Sequence, residues 1–207
     1  PFVCAVRQDE PRVWKLNYFG DPLITYGPAA ARHDDPLTLE RATNLNDIMR
    51  DALKDKDLAA GATALILMGR DEDAVKLAAA VVASEETALT PELARAVLFA
   101  AYRRRDKDLF LKLYAALDPV QQREAITADT LWQLCRADLA TTSDVTLVNW
   151  LRATIRNPSM VHDADALAPA VKRLYGIDVV RSMYGTLLQR TQDPQMKKWL
   201  TEAAAKY

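Results

Sequence analysis

Two stretches of the chain, 58–82 and 93–117, align without a gap at a spacing of 35 residues. The apolar positions Ala74, Val75, Ala78, Ala79 and Val82 of the first recur as Leu109, Phe110, Leu113, Tyr114 and Leu117 of the second. These positions fall three and four apart, so the helical period is duplicated together with the composition. The polar turn is duplicated as well, Asp71-Glu72-Asp73 against Asp106-Lys107-Asp108. A helical hairpin is apolar on a face that it cannot cover alone. A tandem pair therefore predicts antiparallel hairpins stacked on one another, as in a short right-handed α-solenoid.

Bulk properties restrict the function classes. The chain has 207 residues, half of them hydrophobic, with six glycines and ten prolines, enough to bury a core without disulfides or metals. The longest apolar run, 77–83, is far short of the roughly 20 residues a bilayer span requires, so no membrane span is expected. Residues 1–100 carry 11 Lys/Arg against 16 Asp/Glu, and 101–207 carry 16 against 12. Neither half has the dense basic face of a nucleic-acid binder, and nucleic acid is not an expected partner. Two cysteines, Cys4 and Cys135, are too few for a disulfide framework or a zinc site and read as independent thiols, with one disulfide tying the N-terminus to the helical body as the alternative in an oxidising compartment. The chain begins at Pro1 with no charged-then-apolar leader, consistent with a removed signal, a fragment or a trimmed Met. Both a cytoplasmic and an exported location fit.

Taken in order, residues 1–28 read as an N-terminal β-hairpin or extended arm. Phe2–Val6, Val13–Phe19 and Leu23–Tyr26 are short β-prone runs parted by turn residues, and Trp14, Leu16 and Tyr18 alternate with Val13, Lys15 and Asn17. From 29 to 207 the pattern is helical. A first helix at about 36–53 would bury Leu45, Ile48, Met49 and Ala52. Hairpins follow at about 58–84 and 91–117, a weaker one at 129–156, and a C-terminal cap at 164–206 built from helices at 164–175, 178–190 and 194–206. Five capping residues followed by proline mark helix starts: Asp35-Pro36, Thr90-Pro91, Asp118-Pro119, Asn157-Pro158 and Asp193-Pro194. The side-chain oxygen accepts from a first-turn amide, while proline occupies the position whose N–H has no partner. Gln121, three residues after Asp118, completes a capping-box pattern.

The second helix of the 91–117 hairpin, run into Leu117-Asp118-Pro119, resembles the second helix of a tetratricopeptide repeat. Gly69 and Ala74 stand where that family favours small residues. The resemblance covers about 60 residues and lacks the family's first-helix Trp, Leu-Gly and Tyr. It implies a helical-hairpin binding scaffold, and the family has no catalytic residues to transfer.

Candidate chemistry is sparse. The two histidines each precede acid, His33-Asp34-Asp35 and His162-Asp163-Ala164-Asp165. This arrangement is similar to that of HD-type metal-dependent phosphohydrolases, so a divalent ion at His33, His162 and Asp163 is the enzymatic alternative. No Gly-rich phosphate loop, Gly-x-Ser-x-Gly elbow or His-Glu-x-x-His is present. Cys135 lies within an apolar helical pattern and reads as a buried thiol. Arg103-Arg104-Arg105 is the sharpest cationic cluster. It either complements the helix dipole beside Asp106 and Asp108 or contacts an acidic ligand. Trp132, Trp150 and Trp199 are spaced as packing anchors, any one of which would be a binding hot spot if exposed on a concave face. The expected function is a non-enzymatic scaffold or adaptor for a protein or peptide partner. Tyr102, Arg103, Arg104, Arg105 and Trp132 are the candidate groove residues, no cofactor is expected, and self-association remains open. A structural subunit of a larger assembly is the further alternative.

Overall fold

The computed structural model describes residues 36–84, 86–156 and 159–207, with side chains from 44 onward. The predicted N-terminal β arm, Cys4 and His33 lie outside the described residues. The chain divides after Arg41. The account below concerns the second unit, Ala42–Tyr207.

The described residues are mostly helical and contain no strand. Eleven α-helices follow one another: α1 (Pro36–Lys54), α2 (Leu58–Leu67), α3 (Asp71–Ala83), α4 (Pro91–Arg103), α5 (Lys107–Ala116), α6 (Pro119–Gln122), α7 (Ala125–Cys135), α8 (Val145–Ala153), α9 (Met160–Tyr175), α10 (Ile177–Arg190) and α11 (Pro194–Ala204). A single 3-10 turn, Arg136–Asp138, extends α7. Local chemistry sets the starts. Side-chain oxygens of Asp57, Thr90, Asp106, Asp144 and Asp193 each accept from an amide of the following turn. Asp118 and Gln121 form the full reciprocal box. Proline begins α1, α4, α6 and α11 as the capping pattern predicts. Helix α9 starts at Met160, four residues before the expected 164, because Met160 continues the buried face of Ala164, Leu167 and Val171. Gly176 ends α9 and opens α10 with φ of 89°, a left-handed conformation that glycine adopts without steric cost.

Helix α2 packs on α3 and α4, α3 on α4, and α4 on α5. Further along, α8 packs on α9, α9 on α10, and α11 on both α9 and α10. The buried apolar side chains join into one core running from Ala62 to Ala203. Burial of this extent is the main favourable term in the stability of such a unit, at about 25 cal/mol per Å² of apolar surface removed from water.

The buried positions recur, in a register that differs from the expected one. Gly61, Ala62, Ala64 and Leu65 in α2 are matched by Val97, Leu98, Ala100 and Ala101 in α4. Ala74, Ala78 and Val81 in α3 are matched by Phe110, Tyr114 and Leu117. Each pair is 36 residues apart, as are the two positive-φ residues that end the first helices, Gly69 and Arg105. The spacing of 35 is thus corrected by one. Each buried face uses adjacent doublets, so a one-residue slip still lays apolar on apolar. The acidic turns reinforced the slip, because Asp106 caps α5 whereas its expected counterpart Asp71 is the first residue of α3. Ala79, expected inside, is exposed, and Val75 and Val82 are half-buried.

The third hairpin shifts at both of its helices, and its α7–α8 turn is longer than the turns before it. Leu93, Ala94, Val97, Leu98 and Ala101 match Thr127, Ala128, Leu131, Trp132 and Cys135 at 34 residues, while Leu109, Phe110, Leu113 and Leu117 match Leu147, Val148, Leu151 and Ile155 at 38. The spacing of 36 then returns. Thr127, Ala128, Leu131, Trp132 and Cys135 in α7 match Asp163, Ala164, Leu167, Ala168 and Val171 in α9, and Met160, Ala164 and Leu167 match Met196, Leu200 and Ala203 in α11. Helix α1 departs from expectation, with Ile48 exposed and Leu45, Met49 and Ala52 only half-buried. Its Leu53 lies over Gly61, where a Cβ would come within 2.8 Å of the leucine Cδ2.

Candidate functional site

Basic side chains at the ends of helices tie each pair to its neighbour. The Arg103 guanidinium grips Asp71 of the preceding hairpin in a bidentate pair, Nε at 2.5 Å and a terminal nitrogen at 2.8 Å. Arg104 approaches Glu72 at 3.6 Å. Lys107 pairs with Asp138 at the end of the next first helix, while within the third pair Arg156 pairs with Asp129 and donates to the Ala125 carbonyl at 2.8 Å. Arg173 donates to the carbonyls of Ala140 and Thr142 in the α7–α8 connection, at 3.0 and 2.5 Å, and Arg190 to that of Ile155 at 3.0 Å. The hydrogen bond to Arg103 holds the Asp71 carboxyl below its ordinary range despite some opposing burial. Five basic side chains of the second half, Arg103, Arg104, Lys107, Arg173 and Arg190, thus bridge successive helix pairs.

Two of the expected groove arginines are thus engaged, though not with Asp106 and Asp108 of their own turn. Asp106 is occupied as the cap of α5. Arg105 adopts φ of 56° at the end of α4, so its side chain leaves the helix path. Together with Tyr102, Arg103, Gln133 and Leu134 it lines a cleft of about 280 Å³ between the C-terminal ends of α4 and α7. The Tyr102 hydroxyl donates to the Gln133 side-chain oxygen across that cleft. Trp132, on the next position of α7, does not join them. It is 7% exposed, and its indole N–H donates to the Thr154 hydroxyl at 3.1 Å. Burial satisfies the ring and its one polar atom, so Trp132 is a core residue and not a surface contact.

The enzymatic alternative is also dispersed. His162 and Asp163 are adjacent on α9, where successive side chains point about 100° apart. His162 is exposed and lines a cleft between α9 and α11, whereas Asp163 is 6% exposed and accepts a 2.5 Å hydrogen bond from the Ser159 hydroxyl. Burial raises the Asp163 pKa, opposed in part by that bond and by Arg136. The expectation that this acid pair lies in a loop ahead of a helix is corrected, since both residues fall in the opening turn of α9. Among the described residues no three His, Cys, Asp or Glu side chains are grouped to hold a metal. Cys135 is a buried free thiol, its pKa pushed up to about 11 by burial.

The α9–α11 cleft, about 360 Å³, is lined by Val161, His162, Asp165, Trp199, Glu202, Ala203 and Lys206. Its floor is ordered by Asp165, which accepts from the Tyr184 hydroxyl at 2.8 Å and from the Lys206 ammonium at 3.0 Å. Burial disfavours the Asp165 anion, but those two donors more than offset it and hold the pKa below the ordinary value. The sequence pattern marks Trp199 as a packing anchor, yet the ring is 48% exposed. The signal that separates it from Trp132 is the hydrophilic sequence around it, Lys197, Lys198 and Glu202 on one short helix. No known family, curated protein or solved structure matches the chain.

Proposed function

We propose that the chain is a non-catalytic binding module, a short right-handed stack of helical pairs that presents the exposed edges of α4, α7, α9 and α11 to a protein or peptide partner. The supporting observation is the recurrence of buried positions every 36 residues on either side of the third pair, where the spacing is 34 and 38. A chain that reuses one packing register produces an extended surface, and such surfaces serve recognition. The Tyr102–Gln133 cleft with Arg105 beside it is the first place on that surface where aromatic and cationic groups stand together.

The test is affinity capture from the native source with the full chain and with Tyr102→Ala and Arg105→Glu variants. Photo-crosslinkers would be placed at Gln133 within the cleft and at Ala79 on the exposed side of α3. The expected result is a partner that crosslinks at Gln133 and not at Ala79, and whose recovery falls at least about tenfold in both variants, the scale of a hot-spot truncation. Equal crosslinking at both positions, or unchanged recovery, overturns the reading.

A further inference from the structure

The α9–α11 cleft interrupts a register that is closed in α4, α7 and α9. In α4, α7 and α9 the positions that correspond to Trp199 at the spacing of buried residues are Leu93, Thr127 and Asp163, and they are 2%, 3% and 6% exposed. Each is smaller than tryptophan and sits inside the packing. At the same place on α11 the indole stands 48% exposed and forms one wall of an open slot. An aromatic ring left in water beside an open slot, at a position that α4, α7 and α9 cover, offers a face for contact.

The charges around the slot select its occupant. Of its ionisable walls, His162 stands exposed on the α9 side, and Asp165 and Lys206 are committed to each other, with Tyr184 donating to the same carboxylate. Glu202, one turn beyond Trp199 on α11, lies in the slot wall with no ion pair among the described residues. An aromatic face beside an uncommitted carboxylate is complementary to a planar cation. Guanidinium stacks on indole and donates in a fork to carboxylate, whereas the aliphatic stem that carries it packs on apolar walls such as Val161 and Ala203. We propose that the α9–α11 cleft takes up a single arginine side chain of a partner protein segment, stacked on Trp199 and paired with Glu202. This site rests on the binding-module reading and gives it a specificity element, a basic residue in the partner.

The experiment uses the ¹⁵N-labelled full chain and three small probes: N-acetyl-arginine amide, the uncharged N-acetyl-citrulline amide and the anionic N-acetyl-glutamate amide. The indole N–H signal of Trp199 is assigned by its loss in Trp199→Phe. Arginine amide is expected to shift that signal saturably, with affinity reduced about two- to fivefold by Glu202→Gln, the scale of one solvent-exposed charge contact. Citrulline amide should bind at least that much more weakly. Glu202 is on an exposed helix face, so the variant keeps the fold, and the other backbone signals check this directly. The proposal is overturned by no saturable shift, by equal response to citrulline, by indifference to Glu202→Gln, or by preference for the glutamate probe. If arginine fails here while capture still depends on Tyr102, the slot is wrong and the module stands. If arginine binds here while capture ignores Tyr102 and Arg105, the reading of the Tyr102 cleft fails and the slot stands.

Discussion

Arg103 tests whether the cationic cluster belongs to a ligand surface or to the frame. In the structure its guanidinium makes a two-point bond to Asp71, with the arginine side chain 49% and the aspartate 24% exposed. Opposite unit charges about 4 Å apart attract by roughly 1 kcal/mol in water and about 4 kcal/mol at an effective dielectric near 20. Ordering two long side chains and losing their hydration consume most of that, and exposed pairs retain about 0.2–1 kcal/mol. The forked geometry and the partly covered aspartate place this pair at the upper end, about 1 kcal/mol. In a unit of this size that corresponds to roughly 2–4 °C in melting temperature.

A double-mutant cycle of Arg103→Ala and Asp71→Ala, read by urea unfolding at pH 7, should therefore give a coupling of about 1 kcal/mol. Asp71→Ala alone should cost slightly more than Arg103→Ala, because Asp71 also sits in the first turn of α3, where a carboxylate complements the helix dipole. The folded pKa of Asp71 is depressed below 3.8, so the stabilisation is fully present above that value and is lost as pH falls through the folded pKa. Independent costs with no coupling would refute the reasoning and return Arg103 to the pool of ligand contacts.

The buried Asp163 has the opposite sign. Its pKa is raised by burial, so the fold disfavours its anion, and stability falls as pH rises from 3.8 through the folded pKa. Asp163→Asn keeps an acceptor for the Ser159 hydroxyl and should melt higher than the parent at pH 7, with the difference vanishing below 3.8; a lower melting temperature at pH 7 would contradict this. Cys135, fully buried and with its pKa pushed up to about 11, should react with a thiol-disulfide reagent only as fast as the unit opens. Rapid labelling of native Cys135, followed by peptide mapping, would show that α7 is less covered than described.

Helix content, most helix starts and the greater part of the core were legible in the sequence, because each depends on short-range chemistry. Thr90, Asp118 and Asp193 cap helices within two or three residues of their own positions, and Leu109, Phe110, Leu113 and Tyr114 are spaced to share a face whatever lies opposite. Register was not legible at the level of one residue, since doublets such as Val97-Leu98 and Ala100-Ala101 make a slip nearly neutral in apolar pattern. Nor could spacing alone distinguish Trp132 from Trp199. Both are tryptophans on amphipathic helices; the charged neighbours of Trp199 hint at the difference, and the placement of Thr154 beside one and of an open slot beside the other decides which is core. The arginine cluster shows the same division. Three adjacent cations announce local positive charge, but whether that charge meets a partner or Asp71 depends on a residue 32 positions away. Electrostatic pairing and cleft formation are properties of surfaces brought together by packing, and the sequence encodes them only through the register that packing selects.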